Sequence, residues 1–129
     1  MSRPTLLCVN IPADKLARVR FSAMRLGLLI QTVLPEDVHQ PLGALCGLLP
    51  RLEDVPAEPF GGEMLIMANL NRQQAERLLA SLKQSRVQIP LKAVLTPTNV
   101  QWSLVRLHEE LTRERAAVLR GETDDHTAE

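Results

Sequence analysis

An α+β fold of the ferredoxin-like kind, an α/β sandwich (βαββαβ) with one additional C-terminal helix, is what the sequence predicts, on three observations. Four short apolar runs alternate with segments of helical period. Two of the runs, LLCVN and LIMAN, are each followed by an amphipathic helix, so the chain reads as a doubled β-α-β unit. The fourth run contains Pro90, which cannot donate to a ladder on both sides and so belongs at a sheet edge. The spatial order 4-1-3-2 puts it there. A flavodoxin-like parallel sheet is the competing arrangement, disfavoured because no full crossover helix joins the second and third strands.

Residues 5–11 (TLLCVNI) form the first buried strand. Pro12 suits the first turn of a helix, where its missing N–H is not needed. That helix covers residues 13–26, with Leu16, Val19, Ala23 and Leu26 on one stripe and Gly27 as its stop. Residues 28–34 make a second strand closed by Pro35, and residues 41–49 one or two helical turns weakened by Gly43 and Gly47. The proline-rich stretch 50–62 reads as a loop. Residues 63–70 are the third strand. Asn71 with Gln74 forms a capping box, in which each side chain satisfies a free backbone N–H at the start of the next helix. Residues 89–96 are the fourth strand. Thr98 with Gln101 repeats the box spacing and opens a last helix over residues 99–119.

The chain has 129 residues, 45% hydrophobic and 23% charged, which indicates one folded domain over residues 1–120. Residues 121–129 hold Glu122, Asp124, Asp125 and Glu129 with no Lys or Arg, and read as a disordered acidic tail whose deletion leaves stability nearly unchanged. Formal net charge is zero overall, so residues 1–120 carry a surplus of four positive charges, well short of a nucleic-acid binder's footprint. Phe21, Phe60 and Trp102 are the whole aromatic complement, too few for base-stacking platforms. No apolar run reaches the roughly 18 residues of a membrane span, and the N-terminus lacks the pattern of a secretory signal. A cytoplasmic location follows as the expectation, with no nucleic-acid or membrane partner.

The first and third strands are apolar at both parities: Leu6, Leu7, Cys8, Val9 and Met64, Leu65, Ile66, Met67. An antiparallel sheet with one wet face would alternate. Both faces are therefore covered, by the last helix, by residues 41–49 or by a second subunit. This last option motivates the expectation of a homodimer.

No catalytic residues, cofactor or metal site emerge. Histidines 39, 108 and 126 are isolated, and Glu36, Asp37 and His39 together read as a turn after Pro35 rather than a ligand shell. Glu109 and Glu110 point about 100° apart on a helix and cannot act as a carboxylate pair. Cys8 and Cys46 read as buried hydrophobes. The reading leans away from an enzyme and toward a protein-interaction module. The alternative is a regulatory domain that binds a small anionic metabolite. Lys92, Thr96, Thr98, Asn99 and Trp102 are its candidate ligand residues, because Lys92 supplies charge beside hydrogen-bonding groups at a helix start. The structural alternative is that they cap a helix, protect an edge strand and fill the core.

The same segment, LKAVLTPTNVQW, resembles the hallmark of a family of short bacterial proteins known only as a domain of unknown function. Lys92, Ala93, Val94, Leu95, Thr96, Thr98, Asn99 and Trp102 carry the likeness, with Leu107, Glu110, Leu111 and Glu114 in a Glu-rich C-terminal helix. More loosely it reaches back through MLIMANL to about half the chain. The resemblance implies no particular chemistry.

Overall fold

The computed structural model describes residues 3–34, 37–52 and 61–119. Its elements run β1 (Thr5–Val9), α1 (Ala13–Leu26), β2 (Leu29–Thr32), α2 (Leu42–Leu45), β3 (Met64–Ala68), α3 (Arg72–Gln84), β4 (Leu91–Val94) and α4 (Leu104–Leu119). The acidic tail and Glu36 lie outside the described residues. Among the described residues, no helix is long and apolar enough to cross a membrane.

The α+β class is the one the sequence predicts, but the strand order is not 4-1-3-2. The sheet runs β2-β1-β3-β4. β1 pairs parallel with β2 and β3 parallel with β4, while β1 and β3 meet antiparallel in the middle. Each β-α-β unit is thus closed on itself, with no foreign strand inserted into it. A local cause is visible: Gly27, at φ 73°, ends α1, and Leu28 alone follows before β2 begins beside β1.

The halves repeat each other at a fixed spacing. Ser22 and Ser81, 59 positions apart, share a hydroxyl–hydroxyl hydrogen bond of 2.7 Å where α1 crosses α3. The same spacing relates the facing pair Leu7 and Ile66, the left-handed Asn10 and Asn69 after each central strand, and the left-handed Gly27 and Arg86 after each helix. Two independent pairs, one in the sheet and one between the helices, therefore lie on a common pseudo-twofold axis. The echo of LLCVN in LIMAN is this symmetry seen in sequence.

Both faces of the central strands are buried, as their unbroken apolar runs require. Leu6, Cys8, Leu65 and Met67 turn toward α1 and α3, where Val19, Ala23, Leu78 and Leu82 complete one core. Leu7, Val9, Met64 and Ile66 turn the other way and pack on Leu42 and Leu45 of α2 and Leu104 and Leu107 of α4. The second face of the central strands is therefore closed by this chain's own segments, while β2 at the edge stays largely exposed.

The two cysteines sit one in each core, Cys8 among α1 and α3 and Cys46 beside α2. Burial pushes the Cys8 thiol up from 9.0 to about 11, with Arg20 drawing it partly back, and burial does the same to Cys46. A pKa raised in the folded state means stability that is complete below pH 9.0 and lost as pH climbs toward about 11. The urea midpoint should thus fall between pH 9 and 11, more steeply than in a Cys8→Ala/Cys46→Ala variant. Identical slopes for the two proteins would contradict it.

Candidate functional site

The residues singled out in the sequence separate into three structural roles. Odd positions of β4 face the second core, where Leu91, Ala93 and Leu95 pack, which sends Lys92 to the α3 side. There its Nζ donates to the Ile89 carbonyl at 2.9 Å. Thr96 and Asn99 lock a turn reciprocally: the Thr96 N–H donates to Asn99 Oδ1 at 2.8 Å and the Asn99 N–H to Thr96 Oγ1 at 3.1 Å. The Asn99 amide also donates to the Val94 carbonyl at 3.0 Å, and Asn99 is 8% exposed. Trp102 packs at the margin of the second core with the Arg106 guanidinium 4.3 Å above its ring. Thr98 stays exposed. Lys92 is not gathered with the others into one pocket.

The last helix also starts later than the spacing of Thr98 and Gln101 predicts. Ser103 caps it by accepting the Arg106 N–H at 3.1 Å, so α4 begins at Leu104 and Trp102 precedes it. The intervening backbone is used to hold α2. Val100 and Trp102 carbonyls accept the N–H groups of Gly43 and Leu42, both at 2.8 Å, and Pro41 bridges Ser103. Gly43 is needed for that approach, because a Cβ there would meet Leu49 and Val100 side chains at under 3.0 Å. These tertiary bonds outcompete the first turn of the helix.

Lys92 instead belongs to an open groove of about 950 Å³ beneath α3. The capping box of Asn71 and Gln74 starts that helix, and Arg86 in the left-handed conformation turns the chain out of it. The turn lets the Val87 N–H reach the Leu82 carbonyl and drops Val87 and Ile89 into the core. Arg86 and Gln88 are left on the surface. Leu79, Val87, Ile89 and Pro90 floor the groove, and Lys83, Arg86, Lys92 and Arg115 rim it. Lys15, at one end, bonds Glu63 at 2.6 Å and the Gln88 carbonyl at 2.7 Å. Arg115 reaches from α4 to the Pro90 carbonyl at 3.3 Å.

The electrostatics are one-sided. Among the described residues Glu63 is the single acid in the lining, and Lys15 already neutralises it. Among the described residues Lys83, Arg86, Lys92 and Arg115 have no carboxylate within salt-bridge distance. Four uncompensated cations around a low-dielectric floor create a local positive potential that a neutral chain does not advertise. Among the described residues no aromatic side chain lines the groove. Sequence reasoning found only Lys92 of these four. Lys83 and Arg86 have the residue types that helix C-termini favour in any protein, and Arg115 lies in a mixed-charge helix face, so neither signal stood out.

The described chain is thus an α+β domain with helices on both faces of a mixed four-stranded sheet and one cationic groove beside an edge strand. Residues 63–118 match the model of a family described as Domain of unknown function (DUF3783). The match runs from the start of β3 almost to the end of α4, so it contains the whole of α3, the 86–90 turn and β4. No curated protein and no solved structure matches the chain.

Proposed function

We propose that this domain is a protein-interaction module that receives an acidic segment of a partner in the groove between α3 and β4. The four uncompensated cations over an apolar floor carry the reading. An open groove with charge spread along its rim suits an extended acidic segment. A small metabolite is ordinarily held in an enclosing pocket by a few convergent polar groups. Here Lys92 and Arg115 point their donors at backbone carbonyls, and Thr96 and Asn99 spend theirs on each other and on Val94. No described aromatic side chain lines the groove to give bases a stacking platform.

The test is fluorescence anisotropy with a labelled peptide of alternating Glu and Leu, against a peptide in which Ser replaces Glu. The acidic peptide should bind and weaken steeply with salt, since exposed charges are screened within about 10 Å at 0.1 M. Lys83→Glu/Arg86→Glu should lose at least about tenfold in affinity, the equivalent of roughly 1.4 kcal/mol. Equal binding of both peptides, or of both proteins, contradicts the module. A melting shift with citrate or inorganic phosphate, lost in Lys92→Ala, would favour the metabolite-binding alternative.

A further inference from the structure

The two edges of the sheet are treated differently, and the difference points to a partner. The Leu95 N–H donates to the Met67 carbonyl at 2.9 Å, so odd positions of β4 turn toward β3 and even positions turn outward. That outer row is partly closed. Pro90 has no N–H and its carbonyl takes Arg115, while the Val94 carbonyl takes the Asn99 amide. Lys92 lies between them. Inserted prolines and lysines are devices by which edge strands avoid pairing with another chain.

β2 occupies the equivalent place in the other half and carries none of these devices. The Leu29 and Val33 N–H groups donate to the Pro4 and Cys8 carbonyls at 2.9 and 3.0 Å, which turns odd positions toward β1. Ile30 and Thr32 therefore present their N–H and C=O groups outward, with no bond to them among the described residues. Residues 28–34 contain no charged side chain and no proline. Leu29 is 43% exposed, and with Leu48, 41% exposed, it lines a notch of about 290 Å³ beside the strand.

We propose that β2 is a self-docking edge at which two copies of this chain pair antiparallel to build one continuous eight-stranded sheet. The inference is independent of the acidic-segment reading, since the groove lies at the opposite edge. A second copy is the fitting occupant because the strand is self-complementary. A twofold axis through Gln31 sets Ile30 opposite Thr32 of the second copy, each exchanging two backbone hydrogen bonds. It sets Gln31 beside its own counterpart in the close, non-hydrogen-bonded position. Neutrality removes the like-charge repulsion that Lys92 would impose on a β4 pair. A four-residue ladder falls short of the roughly 1,200 Å² of a stable interface, so Leu29 and Leu48 must add area and the affinity should be about micromolar.

Sedimentation equilibrium of the full chain tests this with a charge swap at Gln31, an exposed position whose replacement leaves both cores intact. Wild type should associate. Gln31→Lys and Gln31→Glu alone should each dimerise at least about tenfold more weakly, because like charges face each other, and an equimolar mixture should recover association. Amide exchange of Ile30 and Thr32 should slow as wild-type concentration rises, which locates the contact at the edge. A wild-type monomer at on the order of 100 µM, or dimers unaffected by either substitution, overturns the proposal. Concentration-dependent protection of β4 in place of β2 overturns it equally.

Discussion

Leu65→Ala should remove about 3–5 kcal/mol of stability, the cost of deleting a fully buried leucine together with the cavity it leaves. Leu65 is 0% exposed on β3, facing Cys8 across the central pair and packed under both α1 and α3. The layers on that face are fixed to each other by the Ser22–Ser81 hydroxyl pair and by Arg18, which donates to the Ser85 carbonyl at 3.2 Å. They cannot collapse freely into the void, which places the cost toward the upper end. In a chain of this size the melting temperature should drop by roughly 10–20 °C. Leu79→Ala on α3, partly exposed at the groove, should cost no more than about 1 kcal/mol. A Leu65→Ala protein melting within about 3 °C of wild type would mean that the α1–α3 face is not the main core.

Asn99→Ala should cost about 2–3 kcal/mol, large for a single polar side chain. Its amide does three things in a buried position: it accepts the Thr96 N–H, donates to the Val94 carbonyl and keeps Thr96 Oγ1 in place for the Asn99 N–H. A hydrogen bond is worth only about 1 kcal/mol net, but a buried group stripped of its partner costs about 1–3 kcal/mol. Asn99→Asp keeps the acceptor and loses the donor, so it should fall between alanine and wild type. Urea unfolding gives all three values. A cost under about 0.5 kcal/mol would return Asn99 to the surface and to ligand binding.

The pattern of burial was legible in the chain and the connectivity was not. Strand orders 4-1-3-2 and 2-1-3-4 both put strands one and three in the middle and two and four at the edges. Apolar runs at Leu6–Val9 and Met64–Met67 therefore fit either order equally, as does Pro90 at an edge. What separates them is which strand neighbours which, and hydrophobic period is silent on that. The helix α1 was readable to its last residue because Pro12 and Gly27 punctuate it, and α3 because Asn71 and Gln74 form the box their spacing predicts. The start of α4 was misplaced for a different reason. Thr98 and Gln101 have capping-box spacing, but Thr96 and Asn99 make a competing local turn and the 100–103 backbone is recruited by α2. Local propensity lost to tertiary hydrogen bonds that no window of sequence contains. The groove escaped for want of contrast, since its four cations are scattered over α3, the following turn, β4 and α4.

The pseudo-twofold repeat has a consequence for how the two halves can diverge. Thr5 aligns with Leu29 in one half and Met64 with Leu91 in the other, so a spacing of 59 before the helices becomes 62 after them. Three additional residues, Gln88, Ile89 and Pro90, absorb the difference. Those same residues provide the carbonyls on which Lys15, Lys92 and Arg115 rest. The groove is thus a joint product: α1, α3 and β4 of the duplicated frame supply much of its lining, and the inserted turn adds Gln88, Ile89 and Pro90 to it. Positions of β3, α3 and β4 have natural controls in β1, α1 and β2, where the same scaffold stands without the insertion. The groove is free to drift, by lengthening or recharging one turn, while the packing that holds the molecule together stays fixed by symmetry.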